Sequence, residues 1–160
     1  MTNTPQDLIR ELGLEPHAEG GYFRETYRAA TCDASGRAAS TLIYFLLLRG
    51  QVSRLHRIDA DEGWHLYLGG PLLIHELDER APAAAPHTMI LGADVARGER
   101  PQYIVMAGRW FGAELEPQAD FALVGCSVAP AFEFQTFELA DRTALRTRFT
   151  GATALIERLT

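Results

Sequence analysis

The sequence predicts a mainly β protein, a barrel or sandwich of short strands with one short helix in front and helices behind. Three observations predict it. Between about residues 22 and 137, runs rich in β-branched, aromatic and aliphatic residues recur at even spacing. Turn residues separate them, among them Gly69-Gly70-Pro71, Gly92-Ala93-Asp94, Gly98-Glu99 and Ala107-Gly108. At both ends of the chain the apolar period becomes that of a helix. At 160 residues the chain has the size of one ordinary domain, and folding at that length buries about 70% of the unfolded surface. The expectation is a single domain over residues 1–160.

In chain order, Thr4 can cap a helix over about residues 5–13, with Pro5 at the first helical position, Asp7 in the first turn and Gly13 as the stop. Leu8 and Leu12 share its apolar face. Strand-like runs follow at Thr41–Leu48, Gly63–Leu68, Leu72–Leu77, Gln102–Met106, Phe121–Val128 and Phe132–Phe137. The Ala/Pro segment Glu79–His87 reads as an exposed loop. A helical tail spans about 141–159: Asp141 caps it, Leu145 and Phe149 lie four apart, Gly151 interrupts, and Leu155, Ile156 and Leu159 form a last stripe.

The formal charge is −6, and the basic residues are arginines scattered along the chain. A phosphate-tracking surface needs a basic stripe, so nucleic acid is not an expected partner. Cys32 and Cys126 belong to no C-x-x-C pair, which points to a reduced compartment and to neither a zinc nor a redox motif. The N-terminus lacks the charged and apolar regions of a signal peptide, and no apolar run approaches about 18 residues. A cytoplasmic protein with no membrane partner is expected.

The stretch from Gly50 to Gly69 carries the chemistry. With strand parity kept across its bend, His56, Ile58, Glu62, Trp64 and Leu66 face one way and Arg57, Asp59, Asp61, His65 and Tyr67 the other. The first set reads as interior. An isolated buried carboxylate costs several kcal/mol, so Glu62 must be paired, protonated, metal-bound or facing a cavity. His56 and Glu62 are the candidate catalytic pair, the imidazole as proton donor or acceptor and the carboxylate orienting it or binding a hydroxyl. Trp64 and Trp110 offer flat faces for a sugar or purine ring, although core filling is their other reading. Ile58, Met106 and Phe111 would add an apolar wall. In Glu19-Gly20-Gly21-Tyr22-Phe23-Arg24, paired glycines permit close approach of backbone, Arg24 can clamp an anion, and Glu19 joins the ligand-binding candidates.

Gly50-x5-His56-x-Ile58-x3-Glu62-x6-Gly69 resembles the first motif of the cupin superfamily, G-x5-H-x-H-x3-E-x6-G, departing from it at Ile58. The second cupin motif is matched less well around Gly98 to Gly108, where Met106 stands in place of Pro and Phe111 in place of His. Longer blocks, including Pro16–Tyr27, Ser40–Leu47, Asp61–His65, Ala107–Trp110 and Val128–Phe134, resemble cupin family 5, formerly DUF985. The resemblance implies a double-stranded β-helix, a jelly-roll-like barrel, usually a homodimer, with a pocket inside and no established general activity. The family usually has Pro, Gln and Gly where this chain has Met106, Phe111 and Ala131.

A tight transition-metal site needs three or four protein ligands, and the motif offers only His56 and Glu62. No cofactor is therefore expected; a metal, if present, would be held by these two with help from a residue such as His17 or Glu19. The leading expectation is metal-independent acid–base chemistry, of an epimerase or isomerase kind, on a sugar or nucleotide-linked ligand. The alternatives are a non-catalytic metabolite-binding or storage module and a metal-dependent cupin enzyme with an incomplete ligand set.

Overall fold

A computed structural model describes residues 4–160. Helix α1 spans Pro5–Leu12. The Thr4 hydroxyl accepts from the Asp7 amide while the Asp7 carboxylate accepts from the Thr4 amide, a reciprocal cap, and Gly13 closes the helix at φ 60°. The strands are β1 (Glu15–Pro16), β2 (Tyr22–Arg28), β3 (Thr41–Leu48), β4 (Val52–Arg57), β5 (Asp61–Gly69), β6 (Leu72–Leu77), β7 (His87–Leu91), β8 (Gln102–Val105), β9 (Trp110–Leu115), β10 (Phe121–Ala129) and β11 (Glu138–Leu139). Helices α2 (Arg142–Arg148) and α3 (Thr153–Arg158) end the chain, separated by a 3-10 turn at Thr150–Ala152 that contains Gly151.

The strands form two antiparallel sheets, β1-β2-β3-β10-β5-β8 and β11-β4-β9-β6-β7. Their inner faces meet in one core, in which Phe45, Trp64 and Val124 of the first sheet pack with Ile74, Phe111 and Ala113 of the second. Each sheet also has a covered outer face. Helix α1 lays Leu8 on Leu46 and Leu123 of the first. The C-terminal helices seat Leu145, Phe149, Leu155, Ile156 and Leu159 on Leu55, Leu77 and Trp110 of the second. Strand β3 reads as a nearly continuous apolar run because Phe45 and Leu47 pack in the core while Leu46, on its other face, lies under α1.

The expected run Phe132–Phe137 is not a strand. It is a short segment with a 3-10 turn at Phe134–Thr136, and pairing resumes only at β11. Three phenylalanines in six residues gave that stretch its β-like composition, yet they pack on one another at the barrel end, with ring centroids 5.0 Å apart for Phe132 and Phe134 and 5.9 Å apart for Phe132 and Phe137. Strand β7 begins where the expected loop ends. Among the described residues, no helix is long and apolar enough to cross a membrane.

Candidate functional site

The two sheets enclose a cavity of about 130 Å³ that opens at one end of the barrel. An apolar cavity of about 150 Å³ holds a benzene molecule, so the space suits one small ring or its equivalent. His56 reaches it from β4 in the second sheet and Glu62 from β5 in the first, the two strands joined by a short turn. That turn is tied to the loop before β9: the Gly108 amide donates to the Ile58 carbonyl at 2.8 Å and the Ala107 amide to Asp61 Oδ1 at 2.8 Å.

Glu19 enters from the loop between β1 and β2. Gly20 there adopts φ 109°, and a Cβ at that position would lie 2.2 Å from the Val52 carbonyl oxygen, so only glycine lets the loop lie flat on β4. The Arg54 amide then donates to the Glu19 carbonyl at 2.8 Å. Ser53, itself fully buried, donates its hydroxyl to Glu19 Oε1 at 2.7 Å. The other carboxylate oxygen, Oε2, lies 3.3 Å from His56 Nε2 and 3.4 Å from His17 Nδ1.

Backbone partners fix the state of both imidazoles. His56 Nδ1 sits 2.7 Å from the Arg54 carbonyl, an acceptor only, so Nδ1 carries a hydrogen. A neutral His56 in that tautomer would turn the Nε2 lone pair on Glu19, so the contact is favourable only with a proton between them, held as imidazolium or as carboxylic acid. His17 Nδ1 instead accepts from the Glu19 amide at 3.3 Å. Burial lowers the pKa of His17, against the pull of the Glu19 charge, and leaves it a neutral ring.

Glu62 has the opposite character. Burial first, and then the Glu19 charge, push its pKa up to about 8, opposed only by a hydrogen bond with Cys126. The Cys126 thiol is itself pushed well above its ordinary range by burial and the same two carboxyls, which leaves it a protonated donor. At neutral pH the cavity therefore presents a carboxylic acid at Glu62 and an ionisable Glu19–His56 pair. Around them stand Phe23, Ile43, Phe45, Val128 and Phe132, with Thr41 behind; Glu25, Arg28, Glu133 and Phe134 complete the lining.

Of the residues singled out in the sequence, His56, Glu62 and Glu19 meet at this cavity, and the others are placed elsewhere. Trp64 is core between the sheets, 1% exposed, and its Nε1 finds no acceptor among the described residues. Trp110 points outward under the C-terminal helices, with the Arg57 guanidinium 4.6 Å over its ring. Adjacent strand residues face opposite ways, so Phe111 points inward and backs the His56 ring at 4.2 Å without lining the cavity. Ile58 packs with Ala60 and Val128 at the barrel end. Met106 is 55% exposed, and Arg24 donates to the Leu12 carbonyl at the end of α1. His17, expected only as a possible helping metal ligand, lines the cavity instead; Cys126, Arg28 and the Phe132–Phe134 segment were not among the candidates. Strand parity in β10 could have found Cys126, which pairs with Trp64; the rest depend on how loops fold back.

The cupin pattern implies a metal held by four side chains. Positions 58 and 111 carry no donor atom, and His56 Nε2 and His17 Nδ1 both turn towards Glu19. Among the described residues, no three His, Cys, Asp or Glu side chains gather around a point that could hold a metal ion. The residues do not fit that centre.

Two antiparallel sheets closed on a cavity, with the Gly50–Gly69 stretch supplying a ring nitrogen from one sheet and a carboxyl from the other, define a β-barrel of the cupin type. The family described as Cupin superfamily (DUF985) matches residues 6–140, and the chain belongs to it. It is similar to a Shewanella oneidensis protein of known crystal structure, at 41% identity and TM-score 0.91, covering 100% of this chain and 98% of that one. An uncharacterized Saccharomyces cerevisiae protein is 27% identical over 151 residues, 81% of this chain and 72% of the yeast protein. Oxalate decarboxylase from Bacillus subtilis shares the fold alone, with TM-score 0.58 at 14% identity over 91% of this chain and 36% of that one.

Proposed function

We propose that the cavity is the active site of a metal-independent acid–base catalyst acting on a small carbohydrate-like ligand, in an epimerisation or isomerisation, with one such site in each protomer of a homodimer. The observation that carries this reading is the pairing of opposite proton roles on one small cavity: Glu62 kept as an acid, and a Glu19–His56 pair with a proton to share. A carboxyl held as an acid beside an imidazole–carboxylate contact is suited to proton abstraction and return. A sugar ring matches the space, and the nucleotide part of a nucleotide-linked ligand would have to remain outside the mouth.

The test is exchange of substrate carbon-bound hydrogen with D2O, followed by NMR over a panel of monosaccharides and their acids. Loss of one positioned acid or base lowers such a rate about 10²- to 10⁴-fold, so His56→Ala and Glu62→Gln should abolish observable exchange while the fold persists. Exchange at the parent's rate in both variants would refute the proposal.

The apolar wall of Phe23, Ile43, Phe45, Val128 and Phe132 supports a second reading, a non-catalytic metabolite-binding module. On that reading the same substitutions weaken binding modestly, and no ligand exchanges hydrogen.

A further inference from the structure

The cavity's charges and rings also bear on the charge of its occupant. Four carboxyl groups line it, Glu19, Glu25, Glu62 and Glu133, against a single guanidinium, Arg28. That guanidinium is already occupied. Its Nε and Nη2 meet Glu25 in a two-pronged bond at 3.0 and 2.8 Å, and Nη2 also donates to the Phe132 carbonyl at 3.1 Å. Glu133 has no arginine within ion-pair distance among the described residues; the side chain bonded to it is the neutral amide of Gln135. Glu62 is 8% exposed and forms no ion pair among the described residues. With Glu25 on Arg28, Glu62 held as an acid and Glu19 facing His56, the charge left over at this cavity is the negative charge of Glu133.

Aromatic rings surround that charge. Phe132 and Phe134 meet edge to face at 5.0 Å, and the His17 ring stacks on Phe134 at 5.9 Å and 28°. Phe134 is 59% exposed although it stands at the cavity mouth, an apolar ring without a cover. A cation within about 6 Å of a ring face is attracted by the ring quadrupole, and more strongly where water is excluded. A carboxylate or phosphate would meet the negative edge of this balance and could reach the guanidinium only by displacing Glu25.

We infer that the cavity selects a compact ligand bearing a positively charged nitrogen, a primary or quaternary ammonium, seated against Phe132 and Phe134 and balanced by Glu133. The inference rests on the cavity being the ligand site and narrows the ligand proposed above to an amine-bearing one.

Three probes of one shape test it by calorimetric titration: choline, its neutral isostere with a tert-butyl group in place of trimethylammonium, and the matching tert-butyl carboxylate. Choline should bind roughly tenfold more tightly than the neutral isostere, and the carboxylate more weakly than both. The preference should shrink in Glu133→Gln and in Phe134→Leu, which keeps apolar bulk but removes the ring. Equal binding of choline and its isostere, or a preference for the carboxylate, overturns the inference. Neutral monosaccharides titrated alongside separate the two possible failures. Sugar binding that Glu62→Gln weakens, with no preference for choline, refutes the charge assignment and leaves the cavity reading in place; no binding by any probe or sugar refutes both.

Discussion

Replacing Glu62 by Gln removes a titrating group while keeping its shape, and its effect on stability should depend on pH in a defined direction. In the unfolded chain Glu62 titrates near 4.5, and in the folded protein near 8. Between those values the folded state holds a proton that the unfolded state has released. The stabilisation linked to that proton is therefore complete below about pH 4.5, declines as pH rises through the window, and is gone above about pH 8. At about 1.36 kcal/mol for each pH unit, the gap is worth up to about 5 kcal/mol, a large part of the 5–15 kcal/mol net stability of an ordinary domain. Gln cannot titrate, so the variant should gain on the parent as pH rises. Urea denaturation of both proteins at about pH 5, 6.5, 8 and 9 measures this, and the difference between the two curves cancels contributions from groups such as His17 that both retain. The difference should move towards the Gln variant by several kcal/mol across the series, with an unchanged dependence on urea. Parallel profiles, within about 0.5 kcal/mol throughout, would show that Glu62 is not held protonated and would remove the acid from the proposed chemistry.

The loop and the ring that frame the site give two further expectations. Gly20→Ala forces a Cβ to within 2.2 Å of the Val52 carbonyl oxygen at φ 109°, so the loop must lift from β4; a loss of several kcal/mol is expected by urea denaturation, together with loss of ligand-induced stabilisation as Glu19 leaves His56. Phe111→Ala deletes a ring that is 1% exposed and packs against His56 and Trp64; a destabilisation of about 3–5 kcal/mol is expected, and a loss under about 1 kcal/mol would mean that the core there is not closed as described.

Much of this architecture is local in origin and was legible without coordinates. The Thr4–Asp7 cap and Gly13 stop bound α1, runs rich in aliphatic residues marked β3 and β6 at their true limits, and Gly151 separated the two C-terminal helices. Side chains alternate along a strand with a period of two, so the His56–Glu62 spacing was enough to send both groups inward. Two errors have the same root: Phe132–Phe137 has strand composition without a neighbouring strand to pair with, and Trp110 sits on a strand whose other face lies under helices some forty residues later. Composition records what a segment is made of, while pairing partners and coverings are contributed by distant chain.

By itself, then, the sequence determined which residues alternate in and out, where the helices are capped and which glycines punctuate the barrel, because each of these depends on neighbours within a few residues. Only the tertiary structure decided that Glu19 and His17 meet His56, that Phe111 rather than a metal ligand backs the imidazole, and that phenylalanines from a non-strand segment close the cavity. Those contacts join loops and sheets far apart in the chain, and their distances follow from how whole elements pack.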